Sequence, residues 1–143
     1  MIYDKNFQIT KNFNLNEFFR SQIDYDDYHS QDDKRIIQLN QNIRSVFTKL
    51  QQFRDFKGES ILILSGYRSP ITNFKVGGVK NSYHMQCKAI DIIYESFKDK
   101  IQREKDFKYL QGLFNGVLHY KKMSFFHLDI RPPAQKFSSW DWQ

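Results

Sequence analysis

Apolar residues between positions 32 and 58 recur with the period of a helix. Ile36, Ile37, Leu39, Ile43, Val46, Phe47, Leu50 and Phe53 fall at i, i+3, i+4 and i+7 steps and so share one face. Asp32 or Asp33 caps the start of this longest helix, and Lys57-Gly58 ends it. Ahead of it, Asn14 followed by Glu17 forms a capping-box-like start to a short helix, Leu15–Ser21, presenting Leu15, Phe18 and Phe19. Residues 1–13 read as irregular around a short strand at Phe7–Thr10, and the acidic, Tyr-rich stretch Gln22–Ser30 reads as a loop. After residue 58 the pattern changes to short apolar runs. Ile61–Leu64 and Ala89–Tyr94 predict strands, separated by a long segment holding Gly66, Pro70, Gly77 and Gly78. A charged helix is expected over Lys98–Phe114, with Ile101, Phe107, Leu110 and Phe114 inward. Gly116–Tyr120 and Phe125–Arg131 read as a hairpin joined by Lys121–Ser124, and Pro132–Gln143 as an irregular tail. Helices first, then strands mixed with one helix, predict a single α+β domain over residues 1–143 with a small, mostly antiparallel sheet.

Composition narrows the class. The 143 residues are 40% hydrophobic and 17% aromatic, including 14 Phe and 8 Tyr, enough for a stable core. A net charge of +6 suits an anionic partner, but no Lys/Arg block exceeds a dipeptide, which favours a solvated basic surface over a nucleic-acid groove. The lone cysteine, Cys87, excludes an intrachain disulfide. No apolar stretch approaches the length of a membrane span, and the first residues lack the apolar core of a secretion signal. The chain is expected to be made soluble in the cytoplasm and to act as a monomer.

The long segment Ser65–Asp91 carries the chemistry. A loop of this length inside a compact domain is usually functional or disordered. It holds Arg68 and His84 and exits on Asp91, while His127 arrives later in Phe125-Phe-His-Leu-Asp-Ile130. Strand alternation puts Phe125, His127, Asp129 and Arg131 on one face and Phe126, Leu128 and Ile130 on the core face. Asp91 lies among isoleucines and needs a partner if buried. Two histidines and a carboxylate make a common catalytic-zinc set with one position open. Structural histidines, and an Asp91 paired with Arg68 or a lysine, are the bland alternatives.

The ordered set Ser65-Gly-Tyr-Arg-Ser69, Asn73, Val76-Gly-Gly-Val79, Ser82-x-His84-x6-Asp91 and His127-x-Asp129 resembles the zinc D-Ala-D-Ala metallocarboxypeptidases and related peptidoglycan endopeptidases. The resemblance covers residues 60–131, with Phe13–Phe19 similar to the helix that often precedes the domain. It implies the fold shared by lysostaphin, D-Ala-D-Ala metallopeptidases and the hedgehog signalling domain. It also implies one zinc ion held by His84, Asp91 and His127, with Arg68 meeting the substrate's carboxylate or carbonyl oxygen. Ser82 and Asn73 would line the cleft. Two positions depart from the family pattern. Ser124 stands where many members place a catalytic acid three residues before the last histidine, and Cys87 stands where glycine is usual. Asp129, on the same strand face as His127, then becomes the candidate general base, with a second role open as the partner that orients a histidine. His119 is a candidate oxyanion stabiliser. The reading is a zinc peptidase acting on peptidoglycan stem peptides at the bacterial wall, extending to a phage enzyme of lysis or cell penetration. The competing reading is a zinc-stabilised, non-catalytic wall-binding module of the same fold. A nucleic-acid-binding domain ranks below both.

Overall fold

The computed structural model describes residues 3–143; the irregular chain expected at positions 1–2 lies outside them. A two-stranded sheet opens the domain, β1 (Gln8–Thr10) against β2 (Phe13–Asn14). The capping box at Asn14 is present, and it starts a short 3-10 turn, Leu15–Phe18, rather than an α-helix. Gln22–His29, expected as a loop, is instead a helix, α1, with Ser21 at its N-cap. Its only fully buried residues are Asp24 and Tyr28, so no apolar stripe betrayed it. The long helix α2 spans Asp33–Lys57 between Asp32 and Gly58, whose φ of 63° provides the left-handed stop. Seven of its apolar positions are buried, while Ile37 faces solvent.

Beyond α2 come β3 (Ile61–Ser65), α3 (Pro70–Lys75), β4 (Ala89–Tyr94), α4 (Lys100–Gln111), β5 (Gly116–Tyr120), β6 (Phe125–Asp129) and β7 (Phe137–Trp142). Five of these strands form one sheet in the order β3-β4-β6-β5-β7, antiparallel except for the β5–β7 pair. The tail expected to be irregular therefore supplies the edge strand. No helix among the described residues is long and apolar enough to cross a membrane.

One face of the sheet is core. Ile61 pairs with Tyr94, Ile63 and Phe126 with Ile92, and Leu128 with Ile90. Phe53 of α2 packs edge-on against Tyr94, and Phe107 of α4 lies 6.1 Å from Phe126. Ile101, expected inward, is exposed, and α4 buries Asp106 instead. That carboxylate accepts from the Tyr94 hydroxyl at 2.6 Å and pairs with Lys57 Nζ at 2.9 Å. Removing one partner of a buried ion pair strands the other. Asp106→Ala is expected to cost about 3–5 kcal/mol in denaturant unfolding, far more than a surface charge deletion.

The opposite face carries Asp91, His127, Asp129, Leu118 and Tyr120. This face is defined by the pairs Asp91–His127, Ala89–Asp129, Leu118–His127 and Tyr120–Phe125.

Candidate metal centre

A register irregularity between Ile63 and Ser65 shapes the site. Ile63 pairs with Ile92 while Ser65 pairs with Asp91, so β3 takes two steps where β4 takes one. The bulge turns Ser65 onto the Asp91 face and sends Gly66–Arg68 across it. A Cβ at Gly66 would stand 2.4 Å from the Phe18 ring and carbonyl oxygen, so only glycine lets the chain pass there. Tyr67 N–H donates to Phe18 O and Arg68 N–H to His84 O. His84 sits on a 3-10 turn, Tyr83–Gln86, whose start is capped by the Ser82 hydroxyl accepting from His84 N–H at 3.2 Å.

Three ligand atoms converge. His84 Nε2 is 3.3 Å and His127 Nδ1 3.0 Å from Asp91 Oδ1, and all three residues are buried. The potential ligand atoms lie within 4.8 Å of one another, the group of His, Cys, Asp and Glu side chains among the described residues placed to hold a metal ion. Each imidazole is fixed from behind. His84 Nδ1 lies 2.7 Å from Gly66 O, so it carries the proton and donates, leaving the Nε2 lone pair facing Asp91. That Nε2 is buried and has no hydrogen-bond partner among the described residues. An orphaned buried acceptor beside a carboxylate and a second imidazole is what a metal site looks like without its ion, so the donor set fits zinc.

Asp129 lies on the far side of His127 from Asp91. His127 Nε2 is 2.8 Å from Asp129 Oδ2. The carboxylate also accepts from Arg131 N–H at 3.1 Å, Arg131 Nε at 2.8 Å and Arg131 Nη2 at 2.7 Å. It is fully buried. With these bonds made, Asp129 is arranged as the partner that orients His127. Asp129 holds the Nε2 proton and presents Nδ1 to the metal position. The strand face was as expected; which nitrogen points forward depends on the ring rotamer, which alternation does not specify. A Cβ on Gly116, the β5 residue opposite Asp129, would lie 2.2–2.4 Å from that carboxylate. Gly116→Ala is expected to displace Asp129 and weaken metal binding about tenfold or more, read by competition with a chromophoric chelator.

Charge follows this geometry. Burial opposes ionisation of Asp91, but His84 and the hydrogen bond from His127 hold it well below the usual carboxylate range. Asp129 is likewise held low against its burial by Arg131 and His127. Burial alone would lower His127, but hydrogen bonds to Asp129 and Asp91 carry it up from 6.5 to about 9. In the metal-free protein the charged imidazole thus adds stability that is complete below about pH 6.5 and lost as pH rises through about 9. A metal must displace that proton. Apparent zinc affinity is therefore expected to strengthen by about tenfold per pH unit from neutral pH toward 9, with proton release measurable by calorimetry in buffers of different ionisation enthalpy.

Arg68 completes the cluster. Its guanidinium reaches Asp91 Oδ2 at 3.4 Å, Ser65 Oγ at 3.2 Å and Asn73 Oδ1 at 3.3 Å. Asn73 is committed to structure, donating to Val79 O at 2.9 Å. A Cβ on Gly78 would lie 2.1 Å from Asn73 Oδ1, so that turn closes down on the Asn73–Arg68 pair. His119 is not part of the site. It faces the core side with Phe126, stacks 4.1 Å from Trp140, and its Nδ1 lies 2.5 Å from Trp140 O. Its neighbour Tyr120 takes the metal-side position, stacked on Phe125. Burial and the nearby Asp91 raise its hydroxyl pKa, so it stays a donor. Cys87 occupies left-handed backbone at φ 57°, a conformation that costs glycine least. Its thiol is buried, pushed up by burial, and lies outside the ligand group. Ser124, also left-handed at φ 54°, is exposed in the hairpin turn.

The sequence reading missed the buttress behind Arg68. Asp24, fully buried on α1, accepts from Ser69 N–H at 2.9 Å, and Tyr67 donates a short hydrogen bond to Asp27 Oδ2. The two residues flanking Arg68 are thus both tied to α1. The signal in the sequence was a run of acidic residues with tyrosines, the same run that read as a loop.

No curated protein matches the chain. The model of the family described as Peptidase M15 matches residues 11–129, which takes in β2 through β6, Arg68 and the His84–Asp91–His127 cluster. Together with the His84–Asp91–His127 cluster, that match places the chain in the Peptidase M15 family, whose members are zinc-dependent peptidases.

Proposed function

We propose that this protein hydrolyses the D-amino-acid-containing stem peptides or cross-links of bacterial peptidoglycan. The observation that carries the reading is the convergence of His84 Nε2, Asp91 and His127 Nδ1 beside an arginine anchored on the same carboxylate. His84 and His127 would hold zinc through those nitrogens and Asp91 through its carboxylate. The ion would supply a Lewis acid for the scissile carbonyl and acidify water. Arg68 would bind a substrate carboxylate or carbonyl oxygen through its guanidinium, the group suited to planar oxygen pairs. Ser82 and Asn73 act by holding His84 and Arg68 in place. Tyr120, which shares the sheet face of His127, would be the donor that meets charge developing on the carbonyl oxygen.

Incubating the zinc-loaded protein with synthetic stem peptides that differ in the stereochemistry at each residue tests this directly. Cleavage confined to peptides with a D-residue at the scissile bond supports the proposal and separates carboxypeptidase from endopeptidase action. Equal cleavage of all-L peptides would overturn it.

One observation favours a second reading, a zinc-stabilised wall-binding module. The usual acid is replaced by exposed Ser124, and Asp129 is occupied by His127 and Arg131. Retention on purified sacculi without any released peptide would select that reading. A lysis or penetration role in a phage belongs to the catalytic reading and carries the same test.

A further inference from the structure

Three buried side-chain polar atoms have no partner among the described residues: His84 Nε2, Ser96 Oγ and Arg103 Nε. The first belongs to the metal centre. Ser96 is turned to Glu59, whose carboxylate accepts its N–H at 2.9 Å, whereas Arg103 stands at the end of the sheet where β4 and β5 finish. There a groove of about 650 Å3 is lined by Phe97, Lys98, Lys100, Arg103, Lys121 and Trp140. The 3-10 turn Glu95–Lys98 forms its wall through Glu95, Phe97 and Lys98. Arg103 is held by that turn, since its Nη1 donates to Phe97 O at 2.7 Å and its guanidinium lies over the Phe97 and Trp140 rings. With Nη1 engaged and the faces covered, the edge formed by Nε and Nη2 remains. That side-on edge is the one that grips two oxygens of a phosphate or carboxylate.

Leaving a buried guanidinium N–H unpaired costs free energy that a folded protein normally avoids. Three lysines from three segments, the 95–98 turn, α4 and the β5–β6 turn, add positive charge at the mouth. Two carboxylates, Glu95 and Asp141, also line it; Glu95 is already paired with Lys98. Four cations against two anions leave the groove net positive.

We propose that this groove binds a phosphate-type anion. The Nε–Nη2 edge of Arg103 is the inner donor, and Lys98, Lys100 and Lys121 are the outer cations. A tetrahedral anion offers several oxygens in different directions, which suits donors arriving from a turn, a helix and a hairpin. The site lies apart from the metal ligands and does not depend on the peptidase reading.

The test is a titration of the full, zinc-loaded, nitrogen-15-labelled chain with inorganic phosphate and with glycerol 3-phosphate, followed by NMR. The Arg103 Nε–H and Trp140 indole signals are expected to shift and saturate together. Arg103→Lys keeps the charge but removes the side-on edge, and Lys121→Ala alters an exposed side chain that the fold does not need. Each is expected to weaken binding about tenfold. Saturation by glycerol 3-phosphate at lower concentration than by free phosphate would assign the site to a phosphate ester, and the reverse to the free ion. Shifts spread over surface lysines, shifts confined to the residues around His84 and His127, or affinities unchanged in both variants would each overturn the proposal.

Discussion

Asp91→Asn is expected to leave the protein with almost no bound zinc and with peptide hydrolysis at background. Asp91 is the hub of the centre, since His84 Nε2 and His127 Nδ1 both lie within 3.3 Å of one of its oxygens and Arg68 approaches the other. An amide keeps the shape but loses the charge, and its NH2 group would face a guanidinium or an imidazole N–H. The half-buried Arg68 and the buried His127 are then left without the anion that holds them. His127, raised to about 9 beside Asp91 and Asp129, should titrate lower in the variant. Metal analysis after dialysis and histidine NMR titration read the two effects separately. Normal zinc content in this variant would mean that the ion is held elsewhere.

Asp129→Asn is expected to weaken zinc binding by about 10- to 100-fold, the usual cost of removing a partner that orients a ligating histidine. It should also destabilise the metal-free fold by about 3–5 kcal/mol, because Arg131 loses the buried carboxylate it grips through three N–H groups. The variant separates the two roles open for this residue. A general base would lose turnover with zinc affinity intact. A residue that positions His127 loses affinity first, and excess zinc should restore part of the turnover. The occupied geometry of Asp129 predicts the second outcome.

The parts of this molecule legible in the sequence are those where one pattern has one physical solution. Helix α2 has an apolar stripe, an Asp cap and a glycine stop, so nothing competes with it. The ligand set was legible because Asp91 is a charge inside an isoleucine strand and His127 alternates with core residues. Helix α1 was not, because it buries an aspartate and a tyrosine rather than a hydrophobic stripe, and its purpose is to hold the Arg68 loop. Strand β7 was not, because an edge strand with mostly exposed side chains has no burial pattern to read. His119 and Tyr120 show a further limit. Adjacent residues on a strand face opposite ways, and which one meets the site depends on the β5–β6 register, a long-range fact. The bulge after Ile63 is of the same kind: one unpaired residue decides whether Ser65 and Arg68 face Asp91.

The central claim is that the His84–Asp91–His127 cluster is a working peptidase centre for the bacterial wall. Digestion of purified peptidoglycan, with and without a chelator and zinc add-back, tests it most directly when the released muropeptides are read by mass spectrometry. Chelator-sensitive products whose masses name the bond cut are expected, restored on adding zinc and absent with Asp91→Asn. Intact sacculi with about one zinc bound per chain would contradict the catalytic claim and leave a binding module. Intact sacculi and no bound metal would contradict the centre itself.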